Sequence, residues 1–209
     1  MDTSSDIYIR SANSGVIRQG EILSNVVQFC VADETLTLES LRGQNAQYDV
    51  IRRDHPFAIV VSQDCDLESD WRSAVLLGSN PDLNEKEKRQ AAANLMSGIL
   101  FCEVTFATDL KGTNAIDSDL WRRIKQGYFP RYHLLEQVPE QFDLDNQDIS
   151  ALGIDFKKYF TIPPRQLYHC INIGVTKRRC YMQSPYFEQV SDRFAHYLGR
   201  IGLPRDHQV

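Results

Sequence analysis

The sequence predicts an α+β fold: a small, strongly bent sheet or barrel with helical insertions and a C-terminal helix, built as one domain over residues 1–209. Three observations carry this reading. Short runs of β-branched and aromatic residues recur without the regular strand–helix alternation of a parallel sheet. Two capped, polar stretches near 82–98 and 117–127 read as helical insertions. The last clear pattern repeats apolar residues at spacings of three and four.

The elements follow in order. Residues 1–15 are polar and are expected to be mobile or lightly docked. Gly20 to Val31 reads as a first strand, because Val26, Val27, Phe29 and Val31 suit a pleated surface. Residues 32–47 form a polar connection, and Tyr48–Ile51 a short strand leading into Arg52-Arg53-Asp54. His55-Pro56 opens the clearest strand, Phe57–Ser62, whose apolar run predicts burial on both faces. Gln63-Asp64-Cys65-Asp66 reads as its polar tail, and Ala74–Leu77 as a weaker apolar segment. Asn84 with Glu87 three residues on forms a capping box before a run of strong helix formers, and Gly98 is the expected stop. That helix holds only Leu95 and Met96 as large apolar residues, so it reads as an exposed insertion.

Ile99–Phe106 is a second strand. Asp117 or Ser118 caps a short helix with Leu120, Trp121 and Ile124, ended by Gly127. Arg131–Glu136 and Phe156–Ile162 are further strands, the latter stopped by Pro163-Pro164. Residues 165–173 fit a strand or a short helix. Ser184 as cap and Pro185 in the first turn start the final helix, with Phe187, Val190, Phe194, Tyr197 and Leu198 as its apolar stripe.

Composition narrows the function classes. The 23 Lys+Arg and 28 Asp+Glu leave a net charge of -5. The charge is uneven: residues 1–120 carry 10 basic and 19 acidic side chains, and the remainder 13 and 9. An acidic whole argues against strong non-specific nucleic-acid binding, while a basic second half keeps a local RNA surface open. The five cysteines include no C-x-x-C pair, which predicts free thiols, a cytoplasmic setting and no structural zinc. The acidic, polar start at Met1–Asp6 is unlike a secretory signal, and no apolar run approaches membrane-spanning length. No nucleotide-binding or metallohydrolase motif is present, so no cofactor and no metal are expected.

Several segments together resemble the PemK/MazF family, the SH3-like barrels that include bacterial toxin endoribonucleases. They are Gly20-Glu21-Ile22-Leu23, then Arg52-Arg53-Asp54-His55-Pro56 leading into Phe57–Ser62, the strand from Leu100, Phe160–Gln166 and the helix from Ser184. The resemblance covers about half the chain. It implies an SH3-like barrel, and RNA cleavage without metal through an Arg of the early loop, Arg52 or Arg53, with a hydroxyl or acid nearby. His55 stands where the family has the Arg of its Arg-Pro pair, and segments 32–47, 82–98 and 112–130 are additions.

The candidate catalytic set is therefore Arg52, Arg53, His55, Ser62, Asp64, Cys65 and Asp66. Four readings of it stand side by side. The arginines and His55 hold a phosphate during RNA cleavage; Cys65 is a nucleophile with a His from elsewhere, such as His133 or His169; Asp64 and Asp66, with Glu68 or Asp70, hold a divalent cation; or the polar cluster is a structural turn. Lys177, Arg178, Arg179 and Arg131 are the candidate nucleic-acid contacts, near the aromatic residues and cations of 122–132. Two functions follow as expectations. One is an RNA-engaging, PemK/MazF-like endoribonuclease. The other is a catalytically inactive barrel that serves as a protein-binding or regulatory subunit of a bacterial multi-component system of toxin–antitoxin or phage-defence type. Partners would be RNA, another protein or a second copy, and no membrane.

Overall fold

The computed structural model describes residues 7–33, 48–113 and 116–199. Its fold is mixed α+β: among the described residues there are seven antiparallel strands in one sheet and six α-helices. In chain order these are β1 (Tyr8–Arg10), β2 (Glu21–Val31), β3 (Val50–Val60), α1 (Asp64–Ser79), α2 (Glu85–Ala93), β4 (Ile99–Phe106), α3 (Ala107–Gly112), α4 (Ser118–Lys125), β5 (Tyr132–Leu135), β6 (Leu152–Ile162), α5 (Pro164–Asn172), β7 (Lys177–Met182) and α6 (Tyr186–Leu198). The strand order is β1-β7-β2-β3-β4-β6-β5.

Both faces of the sheet carry a core, which is why the second half of β3 and most of β4 read as apolar runs rather than alternating ones. On one face Ile22, Ile59, Val104, Ile154 and Phe156 pack beneath Val190 and Phe194 of α6. On the other, Leu23, Ala58, Val60 and Phe101 meet Leu67 of α1 and Leu167 of α5. The first core spans the sheet from Tyr8 on β1 to Leu135 on β5, so the sheet wraps around it.

The ladder does not close into a barrel among the described residues, because β1 and β5 are the two outer strands. The segment after β5 spans the gap instead. Tyr8 Oη donates to the Glu136 carbonyl at 2.8 Å, and Arg10 Nη2 donates to Leu144 O and to Asn146 Oδ1. Leu144 N in turn donates to Arg179 O of β7 at 2.9 Å.

Two irregularities shape the sheet. Asn25, at φ 53°, falls between the pairs Ser24–Phe57 and Val26–His55, opposite Pro56, which has no N–H to give. On β6, Val104 faces Ile154 but Cys102 faces Tyr159, so β6 carries extra residues that bulge outward with Lys157 and Lys158.

Several elements differ from the sequence expectation. Asp64-Cys65-Asp66 is the first turn of α1, not a strand tail, and Ala74–Leu77 lies within the same helix. Two acids in a first turn complement the positive end of the helix dipole, which favours a helix there. Arg52, Arg53 and His55 lie within the long β3 rather than in a loop before it. Residues 8–10 form β1, where mobile or lightly docked chain and no strand was expected. Lys177–Met182 is a strand. Residues 165–173 resolve to helix, and Pro163-Pro164 both ends β6 and starts α5. Ser184 makes no cap: its Oγ donates to Glu188 Oε1, and Pro185 is the N-cap residue. The connection 32–47 lies outside the described residues beyond Asp33.

The capping box of α2 is present, with Asn84 and Glu87 exchanging both bonds at 2.9 Å, and Ala91 is that helix's one buried residue. Asp117 caps α4 by accepting from Leu120 N.

Buried ion pairs fasten the covering segments. Arg178 Nε and Nη2 donate to Glu21 at 2.6 and 2.9 Å, and its remaining donors reach the Gly15 and Val16 carbonyls. Arg179 forms a two-pronged pair with Asp143 at 2.7 and 2.6 Å. Asp143 is fully buried; burial pushes its carboxyl up, but Arg179 and backbone N–H donors outweigh this and hold it below the usual range. Removing one partner strands a buried charge. Asp143→Ala is expected to destabilise the fold by about 3–5 kcal/mol, whereas Arg52→Ala, which breaks an exposed pair with Asp54, should cost less than about 0.5 kcal/mol. Urea unfolding midpoints of the two variants measure the contrast.

Candidate functional site

The strand β3 separates the expected catalytic residues into two groups. His55 and Ser62 are seven residues apart on an extended chain, roughly 20 Å, and nothing folds one back onto the other. At the Ser62 end, the Ser62 Oγ accepts from Leu100 N at 2.8 Å and so pins β4. Asp64 takes two prongs from Arg18 and accepts from Gln19 N at 2.7 Å. Cys65 and Asp66 are exposed on the first turn of α1, where Cys65 Sγ lies 3.7 Å from Gln63 Oε1. Glu68 pairs with Arg72, and Asp70 accepts from Met96 N. The acids of this stretch therefore do not converge, and the described residues hold no group of three or more His, Cys, Asp or Glu placed for a metal ion.

At the other end, Arg52 and Arg53 are exposed, and Arg52 pairs with Asp54. His55 is buried and built into a polar row that crosses the sheet. Its Nδ1 lies 3.2 Å from Glu103 Oε2 on β4, and its Nε2 3.4 Å from Gln28 Oε1 on β2. Its ring stacks on Phe160 at 3.9 Å with an 8° tilt. Lys158, on the β6 bulge, reaches the second oxygen of Glu103 at 2.6 Å. The His55 hydrogen bond, opposed by burial and joined by Lys158, holds the Glu103 carboxyl down at about 2. A carboxylate in the middle of the apolar run Ile99–Phe106 was the sequence signal for this row; Gln28 and Lys158 carried none.

The four expected nucleic-acid contacts are each held by a carboxylate. Arg178 and Arg179 are buried in the pairs already described. Arg131 forms a two-pronged pair with Asp155 at 2.8 and 2.6 Å, and Lys177 reaches Asp145 at 2.9 Å. The expectation of an open basic surface at 177–179 is corrected on this point: two of its three cations face inward from β7.

A large concavity lies elsewhere, between α1 and α5. It is a groove of about 1060 Å³, floored by side chains that include Trp71, Val75, Leu95, Met96 and Pro164. Val75 and Leu95 remain 50% and 42% exposed, although both belong to an apolar surface. Arg165 and His169, four residues apart on α5, form one rim. The buried Asp70 and Ser73 hold the chain after α2 in place through Met96 N and Asn94 Nδ2, and so fix the opposite wall.

The chain matches no family model, no curated protein and no solved structure. Among the described residues no helix is long and apolar enough to cross a membrane.

Two titrations give acid sensitivity with separable windows. Burial, helped by the Arg193 charge, lowers His133 from 6.5 to about 4. The unfolded chain then takes up a proton that the native ring refuses, so this contribution is complete above pH 6.5 and is lost as pH falls toward 4. Glu103, lowered from 4.5 to about 2, contributes stability that is lost as pH falls below 4.5. Urea midpoints followed against pH are expected to flatten in the upper window for His133→Gln and in the lower window for Glu103→Gln.

Proposed function

We propose that the protein is a non-catalytic, protein-binding subunit, built on a bent sheet of PemK/MazF-like, SH3-like-barrel descent, that docks its partner in the groove between α1 and α5. The open apolar groove carries this reading. Its occupant is an amphipathic helix of another protein, with an apolar stripe for Val75 and Leu95 and acidic residues along one flank to meet Arg165 and His169. The endoribonuclease reading draws less support from the geometry. Its arginines and its hydroxyl and acids stand at opposite ends of β3, and the nominated RNA-binding cations are matched to carboxylates.

A photo-crosslinking residue at position 75, introduced into the full chain in its source cells, tests the proposal. One defined protein adduct is expected, mapping to an acid-flanked amphipathic helix. Purified partner should bind at least tenfold more weakly to Arg165→Glu and to Leu95→Asp, with the same label at position 86 giving no adduct. Purified protein that cleaves RNA, with cleavage lost in Arg53→Ala or His55→Ala, would overturn it in favour of the enzyme.

A further inference from the structure

A second, smaller cleft lies at the corner where the chain from α4 to β5 meets α6. It encloses about 270 Å³ and is lined by Gly127, Tyr128, Pro130, Asp192, Arg193 and His196. Gly127 ends α4 at φ +74°, and a Cβ there would stand 3.2 Å from Arg193 Nη1, so this corner is shaped around the guanidinium. Arg193 donates to three backbone carbonyls, those of Gly127, Phe129 and Tyr132, at 3.2, 3.3 and 3.0 Å. Its Nε is buried with no partner.

Carbonyls satisfy donors without cancelling charge. Arg131, Arg178 and Arg179 each face a carboxylate at 2.6 Å, whereas no carboxylate lies within ion-pair distance of Arg193 among the described residues. Burial pulls the Arg193 pKa below its ordinary value, which reports the same uncompensated charge. Beside it two stacked rings lie between two cations. Arg123 lies 5.8 Å over Phe129, Phe129 stacks on Tyr132 at 5.7 Å, and Arg131 lies 4.8 Å over Tyr132. Tyr128, on the lip of the cleft, is 72% exposed and leaves its ring free of that stack.

We propose that this cleft binds a nucleoside phosphate. The phosphate lies against Arg193 and His196, where the positive charge lacks a counter-ion. The base stacks on Tyr128, and Asp192, the one acid of the cleft, accepts from a ribose hydroxyl or an exocyclic amine. A volume of this size admits one nucleotide and excludes a duplex. The same chemistry is offered by a free mononucleotide and by the end of a single strand.

Calorimetric titration of the full chain with AMP, GMP, CMP and UMP, and separately with a 5′-phosphorylated tetranucleotide, tests the site. Saturable binding of at least one mononucleotide is expected, weakened about tenfold by Tyr128→Ala, restored by Tyr128→Phe and unchanged by Lys86→Ala on the exposed face of α2. Tetranucleotide binding with the same Tyr128 dependence, and tighter than any mononucleotide, identifies a strand end as the source. No saturation by any of these at millimolar concentration, or equal binding by the Tyr128→Ala protein, overturns the proposal.

Discussion

Two adjacent side chains on β7 hold the molecule's covers in place. Neighbouring residues on a strand face opposite sides, so Arg178 and Arg179 reach to different layers. Arg178 gathers Glu21 and the Gly15 and Val16 carbonyls, which seats the segment before β2. Arg179 grips Asp143 and also reaches Ser24, which seats the segment that bridges β1 to β5. Glu21 is satisfied on both oxygens, since Ser11 Oγ and Arg18 N donate to it as well. A buried pair of this kind adds little over an apolar core of equal volume, but packings that separate its partners leave a buried charge alone and are strongly disfavoured. The arrangement of the covers follows from that penalty.

With the covers fixed, the positions of the candidate sites follow. The first core is closed by α6 and the 136–149 segment rather than by a ladder between β1 and β5. The second core is closed by α1 and α5, which pack on it through Leu67 and Leu167. The two helices meet through Trp71 and Tyr168, and with Leu95 and Met96 of the chain after α2 they enclose a groove. At the opposite corner α6 meets the α4–β5 turn, and Arg193 substitutes for a hydrogen-bonded ladder by binding three carbonyls.

The strand stretches that pack on both faces were legible in the sequence, because the second half of β3 and most of β4 read as apolar runs. The α2 capping box and the α4 cap were legible for the same kind of local reason. The α1 helix was not, since its buried positions are Leu67, Asp70 and Ser73, and two polar residues among three hide the apolar stripe. Those polar residues are buried because they satisfy the backbone and side chain of Met96 and Asn94, a tertiary fact with no local signature. The His55 row was half legible: His55 itself was singled out, but its partners come from three other strands. The mixed α+β fold was expected, its closure into a barrel is not found among the described residues, and the groove was not foreseen, because it depends on α1 and on α5, whose segment fitted a strand equally well.

The uneven distribution of charge along the chain has a structural resolution. An acidic first part and a basic second part would give opposed surface fields if each folded by itself. The sheet order instead places β7 between β1 and β2, and β6 beside β4, so late strands interleave with early ones. Arg178 then meets Glu21, and Lys158 meets Glu103, each pair joining the basic part to the acidic part across more than fifty residues. The four cations that looked like nucleic-acid contacts in the linear sequence, Arg131, Lys177, Arg178 and Arg179, are paired with carboxylates. By the same reasoning a cation left without an acid is the informative one, and Arg193 is held by neutral carbonyls alone, at a cleft with an exposed aromatic ring on its lip.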